Sequence, residues 1–353
     1  MQTLVIALGG NAIHQPGQRG TTEEQFANVD GTAAQIAKLA RAGYRLVVTH
    51  GNGPQAGALL IQQEEAHAQV PGQSLAACGA MTQGQIGWMI QNRLRFHLDR
   101  EGLAIPVCSV VTQVLVSMDD PDFRDPSKPV GPFYTGQEAA ELQKSRGWVV
   151  RHVRPGSPKG WRRVVPSPEP LGIVEAEVVT TLLQSGVLVV ASGGGGIPVS
   201  RENGSGLVGV NAVIDKDKAG TALARAVGAD GFLVLTDVEK VALDFGKPGQ
   251  RFVDRLTVAE AERYLAEGHF LRGSMGPKVE ACARFVRWSG KPAFIGSLDR
   301  AAEILEGTSG TRIVPSCRRK PWVFRCAFNP CPQALAWPWE ANWMPIGLRK
   351  RNF

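Results

Sequence analysis

The chain has 353 residues, 43% of them hydrophobic and 20% charged, with 41 glycines; that composition supports a sizeable core and excludes disordered and fibrous classes. No uninterrupted apolar segment approaches the ~20 residues that a membrane span requires. The net charge of +7 does not mark a nucleic-acid binder, because seven basic residues opposed only by Glu340 crowd into residues 316–353, and the first 315 residues are close to neutral with no basic stripe.

Met1-Gln2-Thr3 leads straight into an apolar run, with no basic n-region and no cleavage site. No signal peptide is expected, and the expected compartment is the cytoplasm. The six cysteines form no CxxC pair, so a disulfide framework is not expected. Cys78, Cys108 and Cys282 lie in apolar surroundings and read as buried thiols. The six histidines are scattered, without HExxH or a His/Cys cluster, and no metal-ligating set is expected.

In chain order, strands alternate with helices. "TLVIAL" is a strand, and "EEQFANVDGTAAQIAKLARAG" a helix closing at Gly43, a natural C-cap residue. "RLVVTH", then "GNGPQAGALLIQQEEAH" and the helix "AMTQGQIGWMIQNRLRFHLDREG" follow, and "IPVCSVVTQVLVS" is strand-like. Residues 119–170 change character: Pro, Gly and charge dominate, with short strand candidates in "WVVRHV" and "RRVVP". Long structureless loops are uncommon inside compact domains, so this stretch reads as an inserted subdomain or flap. Alternation resumes with the helix "EAEVVTTLLQSG", the strand "VLVVAS", the turn "GGGGIPV" and the helix "DKAGTALARAVGA". "GFLVLTDV", the helices "TVAEAERYLAEG" and "GPKVEACARFVRWSG", and "KPAFIGS" as a closing strand complete the pattern. Repeated strand–helix units imply a three-layer αβα sandwich with a mainly parallel central sheet. Residues 1–315 form the expected domain, with the flap at 119–170 inserted in it. Residues 316–353, rich in Trp, Cys and Arg, show no helical or strand period; they read as a disordered or loosely attached extension. An aromatic-basic binding segment and a frameshifted or read-through end are the alternatives.

Ligands of open parallel sheets gather at the carboxyl ends of strands. Three glycine clusters fall at such ends: Gly9-Gly10, Gly51-Asn52-Gly53 and Gly193 to Gly196. Gly51, Gly53 and Ala56 match a dinucleotide fingerprint, but the acidic partner about twenty residues on is missing from "QVPGQSL". Loops that cradle an anion fit better, with glycines needed only for tight turns as the alternative. There is no GxxxxGK[ST] and no GxSxG, so a P-loop enzyme and a nucleophile elbow are excluded.

Positive charge must then come from elsewhere. In "NAVIDKDKAG", Lys216 stands between Asp215 and Asp217 where a helix begins, against the helix dipole; the flanking carboxylates suit a functional role. Lys218 reads as a solvated surface charge. Lys278 in "GSMGPKVEAC" stands in another first turn, as it would if an anion were bound nearby. Lys128, between prolines in "PSKPVGPF", is either presented on the flap by a stiffened backbone or an exposed loop lysine.

Taken together, "ALGGNAI", "HGNGPQ", "MTQGQIG", "PSKPVGPF", "GWRRVVPSP", "GGGGIPV", "AVIDKD", "LTDV", "FGKP" and "GSMGPK" resemble the amino acid kinase family, and within it the carbamate kinases, from about residue 3 to Pro315. Most members of the family place a lysine before the first Gly-Gly; here that place reads Ala7-Leu8, as in carbamate kinases. The resemblance implies that Lys216, Lys278 and, from the flap, Lys128 supply the missing charge, and that Asp217 organises the lysines. It implies that Gly9, Gly10 and Asn11 cradle the transferring phosphoryl group and Gly51, Asn52 and Gly53 the carbamate side. Gly194 and Gly195, with Thr236, Asp237, Phe245, Met275 and Pro277, would serve the nucleotide; the family more often has tyrosine at the place of Phe245. The implied reaction is reversible transfer between carbamoyl phosphate and ADP, giving ATP and carbamate, with Mg²⁺, in arginine breakdown. The implied assembly is a homodimer acting on small molecules, without nucleic acid or membrane. Because carbamate is already an anion, no general base is required. A sibling kinase acting on another acid, such as acetylglutamate or a phosphonate, and a non-catalytic nucleotide-binding module are the competing readings.

Overall fold

The computed structural model describes residues 1–202, 206–271 and 273–316; the reading of the tail beyond Ser316 therefore lies outside the described residues. β1 (Thr3–Leu8) is buried at every position. α1 (Thr22–Arg41) opens with a capping box, in which the Glu24 N–H donates to the Thr21 hydroxyl and the Thr21 N–H to the Glu24 carboxylate. β2 (Arg45–His50) and α2 (Gln55–Ala66) follow, then α3 (Leu75–Arg100), capped by Ser74. The strand-like run after α3 divides into β3 (Val107–Ser109) and β4 (Gln113–Leu115), which belong to different sheets. A distant side chain bridges the break. Gln83 of α3 accepts from the Thr112 N–H at 2.8 Å and donates to the Thr112 carbonyl at 3.0 Å, a carbonyl that also accepts from the Ile197 N–H at 2.9 Å.

β5 (Lys128–Tyr134), α4 (Gly136–Arg146), β6 (Val150–His152) and β7 (Trp161–Val165) occupy the expected flap, and its strands form a sheet of their own in the order β5-β7-β6. Next come β8 (Gly172–Ile173), α5 (Ala176–Gln184), β9 (Leu188–Val190), β10 (Ile197–Glu202) and β11 (Gly206–Gly209). α6 (Lys216–Ala226), β12 (Gly231–Thr236), β13 (Val241–Leu243), β14 (Arg251–Val253) and β15 (Arg255–Thr257) continue the chain. α7 (Val258–Ala266), α8 (Met275–Ser289), β16 (Ala293–Ser297), α9 (Ala301–Glu306) and β17 (Thr311–Val314) complete it.

The main sheet has the order β15-β17-β16-β12-β1-β2-β9-β3 and is parallel from β16 through β3. β16 is not the closing strand the sequence suggests. After it, α9 turns the chain back and β17 pairs with β16 antiparallel. Strand alternation drives the layering, since successive side chains point to opposite faces. On β1, Val5 and Ala7 enter one core with residues of α5, α6 and α8, while Leu4, Ile6 and Leu8 enter a second core with α1, α3 and α9. Both faces of the sheet are thus covered, which is what near-continuous apolar strands require. A smaller core of Leu60, Leu75, Cys78 and Val165, with Val130 against it, seats the flap on α2 and α3. Cys78 and Cys282 are buried as expected; Cys108 is only half-buried, because β3 is the edge strand of the sheet. Among the described residues no helix is long and apolar enough to cross a membrane.

His50, at the end of β2, is 1% exposed, and its Nδ1–H donates to the Gly51 carbonyl at 2.8 Å. Burial disfavours the imidazolium and lowers its pKa to about 4, although the Gly51 contact opposes the shift. The unfolded chain binds this proton near 6.5, so stability is flat above that pH and falls as the pH drops towards 4. The His50→Asn variant keeps the Gly51 contact and should lose roughly 3 kcal/mol of this acid sensitivity between about pH 7 and pH 4, read from urea melts at each pH.

Candidate active site

The order β12-β1-β2-β9 places four strand ends side by side, and each is followed by a predicted site segment. The turn after β1 approaches β12 closely: the Gly9 N–H donates to the Leu235 carbonyl at 2.8 Å, and a Cβ on Gly9 would lie 3.2 Å from that oxygen. Gly51 leaves room for a side chain to cross the β2 loop, since a Cβ there would stand 3.2 Å from Cδ of Lys216. After β9, Gly194 has φ +65° and a Cβ would meet the Asn52 amide at 2.4 Å; Gly195 has φ +94° and would meet the Ile214 carbonyl at 2.4 Å. A left-handed backbone without a side chain is therefore required at both positions. The glycine-rich turn is wedged between the Asn52 loop and the residues leading into α6.

Asp215, the N-cap of α6, is the centre of the charged side. Its Oδ1 accepts from the N–H groups of Asp217 at 3.0 Å and Lys218 at 3.4 Å. Its Oδ2 accepts from Nζ of Lys128, reaching over from β5 of the flap, at 2.8 Å. Burial would raise this carboxyl, but Lys128 and Lys216 override it and hold the pKa down to about 2. Lys216 donates to Oδ1 of Asp217 at 2.6 Å, and the Asp217 side chain is 4% exposed. Lys278, in the first turn of α8, donates to the Ser274 carbonyl at 3.0 Å. Burial lowers its pKa, the Lys216 ammonium lowers it further, and Asp217, Asp215 and Asp237 oppose the shift.

These groups enclose a cavity of about 470 Å³. Its lining includes Gly10, Gly51, Asn52, Gly53 and Gly194 together with Lys128, Lys216, Asp217, Pro277 and Lys278. Gly9 and Gly195 are not part of the lining. Asn11 donates to Oδ2 of Asp237 at 2.8 Å, and the Thr236 hydroxyl to Oδ1 of Asp237 at 2.9 Å. This links the β1 turn to the end of β12. Met275 opens α8 and packs against the core, while Phe245 is 53% exposed beyond β13; neither lines the cavity.

Two charged cavity residues are not assigned a site role from the sequence. Asp215 shows there only as a carboxylate flanking Lys216 at a helix start. Arg162 is hidden in "GWRRVV", where strand alternation sends it towards the cavity and sends Arg163 over the Trp148 ring at 4.5 Å. Its Nε and Nη2 donate to the Gly131 carbonyl at 3.1 and 2.7 Å. Lys218 is not the solvated charge expected of it, for it pairs with Glu169. Backbone donors beside several partly buried ammonium groups bind multiply charged anions, and fixed donors of this kind stabilise charge that develops during group transfer.

The family model described as "Amino acid kinase family" matches residues 2–297. The chain is 53% identical over 317 residues to a carbamate kinase of Thermococcus kodakarensis, covering 89% of this chain and 99% of that protein. It is 49% identical over 314 residues to one of Pyrococcus furiosus, covering 88% and 99%. The solved structure of a carbamate kinase from Giardia lamblia bound to AMP-PNP superposes with a TM-score of 0.83 at 42% identity, covering 89% of this chain and 98% of that one.

Gly194→Ala should cost about 1–2 kcal/mol from the left-handed backbone alone, and more from the displaced Asn52 amide. Gly79 lies inside α3, and a Cβ added there would have nothing within 4 Å, so Gly79→Ala should instead stabilise by about 0.5–1 kcal/mol. Urea unfolding of both variants checks the contrast.

Proposed function

The chain belongs to the amino acid kinase family, and we infer that its cavity carries reversible phosphoryl transfer between carbamoyl phosphate and ADP, giving ATP and carbamate, as a carbamate kinase does. The observation that carries this reading is the convergence of Lys128, Lys216 and Lys278 on one cavity that Gly10 and Gly51–Gly53 also line.

Phosphoryl transfer through a loose transition state needs alignment and charge neutralisation more than covalent help. In our assignment Gly9, Gly10 and Asn11 hold the transferring group through N–H donors, and Gly51, Asn52 and Gly53 hold the carbamate end. Lys216 and Lys278 neutralise charge on the equatorial oxygens. Asp217 fixes the Lys216 ammonium so that it need not reorganise during transfer. Lys128 arrives with the flap and exchanges its Asp215 contact for the anion, so that closure and charge neutralisation occur together. Gly194 and Gly195 keep the floor at backbone height, while Thr236, Asp237, Phe245, Met275 and Pro277 serve the nucleotide. No group is asked to remove a proton, since carbamate attacks as an anion.

Among the described residues no group of three or more His, Cys, Asp or Glu side chains could hold a metal ion. The fit is therefore to Mg²⁺ brought by nucleotide phosphates, the usual habit of this ion, with charge neutralisation as its contribution. Residues 1–315 are the proposed catalytic unit, working in the cytoplasm on arginine-derived carbamoyl phosphate. A sibling acid as acceptor is disfavoured by the carbamate-kinase-like flap and the "GGNA" turn, and a panel of acid substrates decides between them.

The chain should form ATP from carbamoyl phosphate and MgADP in a coupled assay. Lys216→Ala should lower kcat by about 10²–10³-fold with a much smaller change in the KM for MgADP. Turnover left intact by that substitution sinks the assignment. Nucleotide binding without turnover in the unaltered chain favours the binding-module reading.

We also propose a homodimer through α3. Met81 and Trp88 lie two turns apart on its outer face, 41% and 54% exposed, and Phe26 of α1 meets the Trp88 ring edge-on at 5.0 Å. Exposed apolar groups arranged in this way mark an interface. Trp88→Glu should convert the dimer to a monomer in light scattering coupled to size exclusion.

A further inference from the structure

Each of the three cavity lysines stands on a different element, and one residue outside the cavity is tied to the supports of all three: by its carboxylate to two of them and by its backbone to the third. Glu169 lies at the returning root of the flap. It pairs with Lys218, two residues after Lys216 in the first turn of α6. It also accepts from Nη1 and Nη2 of Arg284 at 2.9 and 3.4 Å; Arg284 is on α8, the helix that carries Lys278 in its first turn. Glu280, one turn before Arg284, holds that guanidinium at 2.8 Å.

The link to Lys128 runs through the flap's own root. Lys128 pairs directly with Val165 across β5 and β7. The next residue, Pro166, accepts through its carbonyl from the Val213 N–H at 2.9 Å, just ahead of α6. The outgoing root is tied to the returning one, since the Ser167 N–H donates to Asp122 and the Glu169 N–H donates to Asp120 at 2.9 Å.

This arrangement answers an electrostatic difficulty. Lys216 and Lys278 repel one another, and both stand at the positive ends of their helices. With no anion between them, the N-terminal turns of α6 and α8 are pushed apart. A carboxylate placed between Lys218 and Arg284 on the outer side draws the same two helices together. We propose that Glu169 is a positioning residue that holds α6, α8 and the flap root in one register, so that Lys216, Lys278 and Lys128 meet the same phosphoryl group. The proposal rests on the phosphoryl-transfer reading above.

Isolated ion pairs at such exposure contribute little stability, so the tie should show in catalysis rather than in melting temperature. In the full chain, Glu169→Gln should lower kcat about tenfold while the KM for MgADP stays within about twofold. Glu169→Asp, which keeps the charge, should recover part of the loss. Lys218→Met should cost several-fold alone but less than about twofold on top of Glu169→Gln, because the two act as one unit. Unchanged kcat in Glu169→Gln, or losses that multiply independently, overturns the proposal. Amide hydrogen exchange without substrate reads the tie separately from the reaction. Faster exchange in the first turns of α6 and α8 and at the amides of Ser167 and Glu169, with the central sheet unaltered, supports it; unchanged exchange overturns it. If the unaltered chain makes no ATP from carbamoyl phosphate, the reaction assignment falls and exchange alone decides the tie.

Discussion

Two lysines in the first turns of two neighbouring helices form an arrangement that helix electrostatics opposes. Most of the site can be understood as the means of tolerating it. Asp217 takes the Lys216 ammonium at 2.6 Å, and Asp215 caps α6 with one oxygen while its other oxygen holds Lys128. The carboxylates are buried enough to need these cations, and the cations are close enough to need the carboxylates. Burial alone would raise the pKa of Asp215; with Lys128 and Lys216 beside it the pKa falls to about 2. The cluster is therefore balanced only while all its members are present, and its ammonium groups are held in place by carboxylates at the cavity.

The glycine turns solve a spatial problem that the charges create. A cavity crowded with long side chains must be floored by backbone, or nothing else fits. Gly51 gives passage to the methylene stem of Lys216, and Gly194 gives passage to Asn52. The parallel order β12-β1-β2-β9 brings these turns to one edge without any long loop. Here the fold is the reason the site exists: the strands are ordinary buried apolar runs, and the chemistry begins where each of them stops.

That division explains what the sequence makes legible. Runs such as "TLVIAL" and "GFLVLTDV" are recognisable because burial on both faces demands apolar residues throughout. The lysines at helix starts are conspicuous because they defy the dipole. Long-range contacts are not written locally. The break between β3 and β4 is bridged by Gln83, 29 residues before Thr112. Lys218 looks like surface because its partner, Glu169, is 49 residues away. Asp215 announces a helix cap and conceals its second oxygen. Arg162 is half of an arginine pair whose members separate only once the strand places them on opposite faces. β17 is a short strand whose place depends on α9 turning the chain back.

The flap follows the same logic at a larger scale. Its sheet is small and its core modest, resting on Leu60, Leu75 and Cys78. Such a body has few apolar contacts to fix its position against the main sheet, and elements with few such contacts open most readily. Polar ties add to that core: Lys128 on Asp215, Arg146 of α4 on Glu64 of α2, and Glu169 on Lys218 and Arg284. The Lys128 contact lies at the cavity and the Glu169 contacts outside it. Both lie near the root, since Lys128 pairs with Val165 beside Pro166, so the position of the flap and that of its lysine are set at the same place.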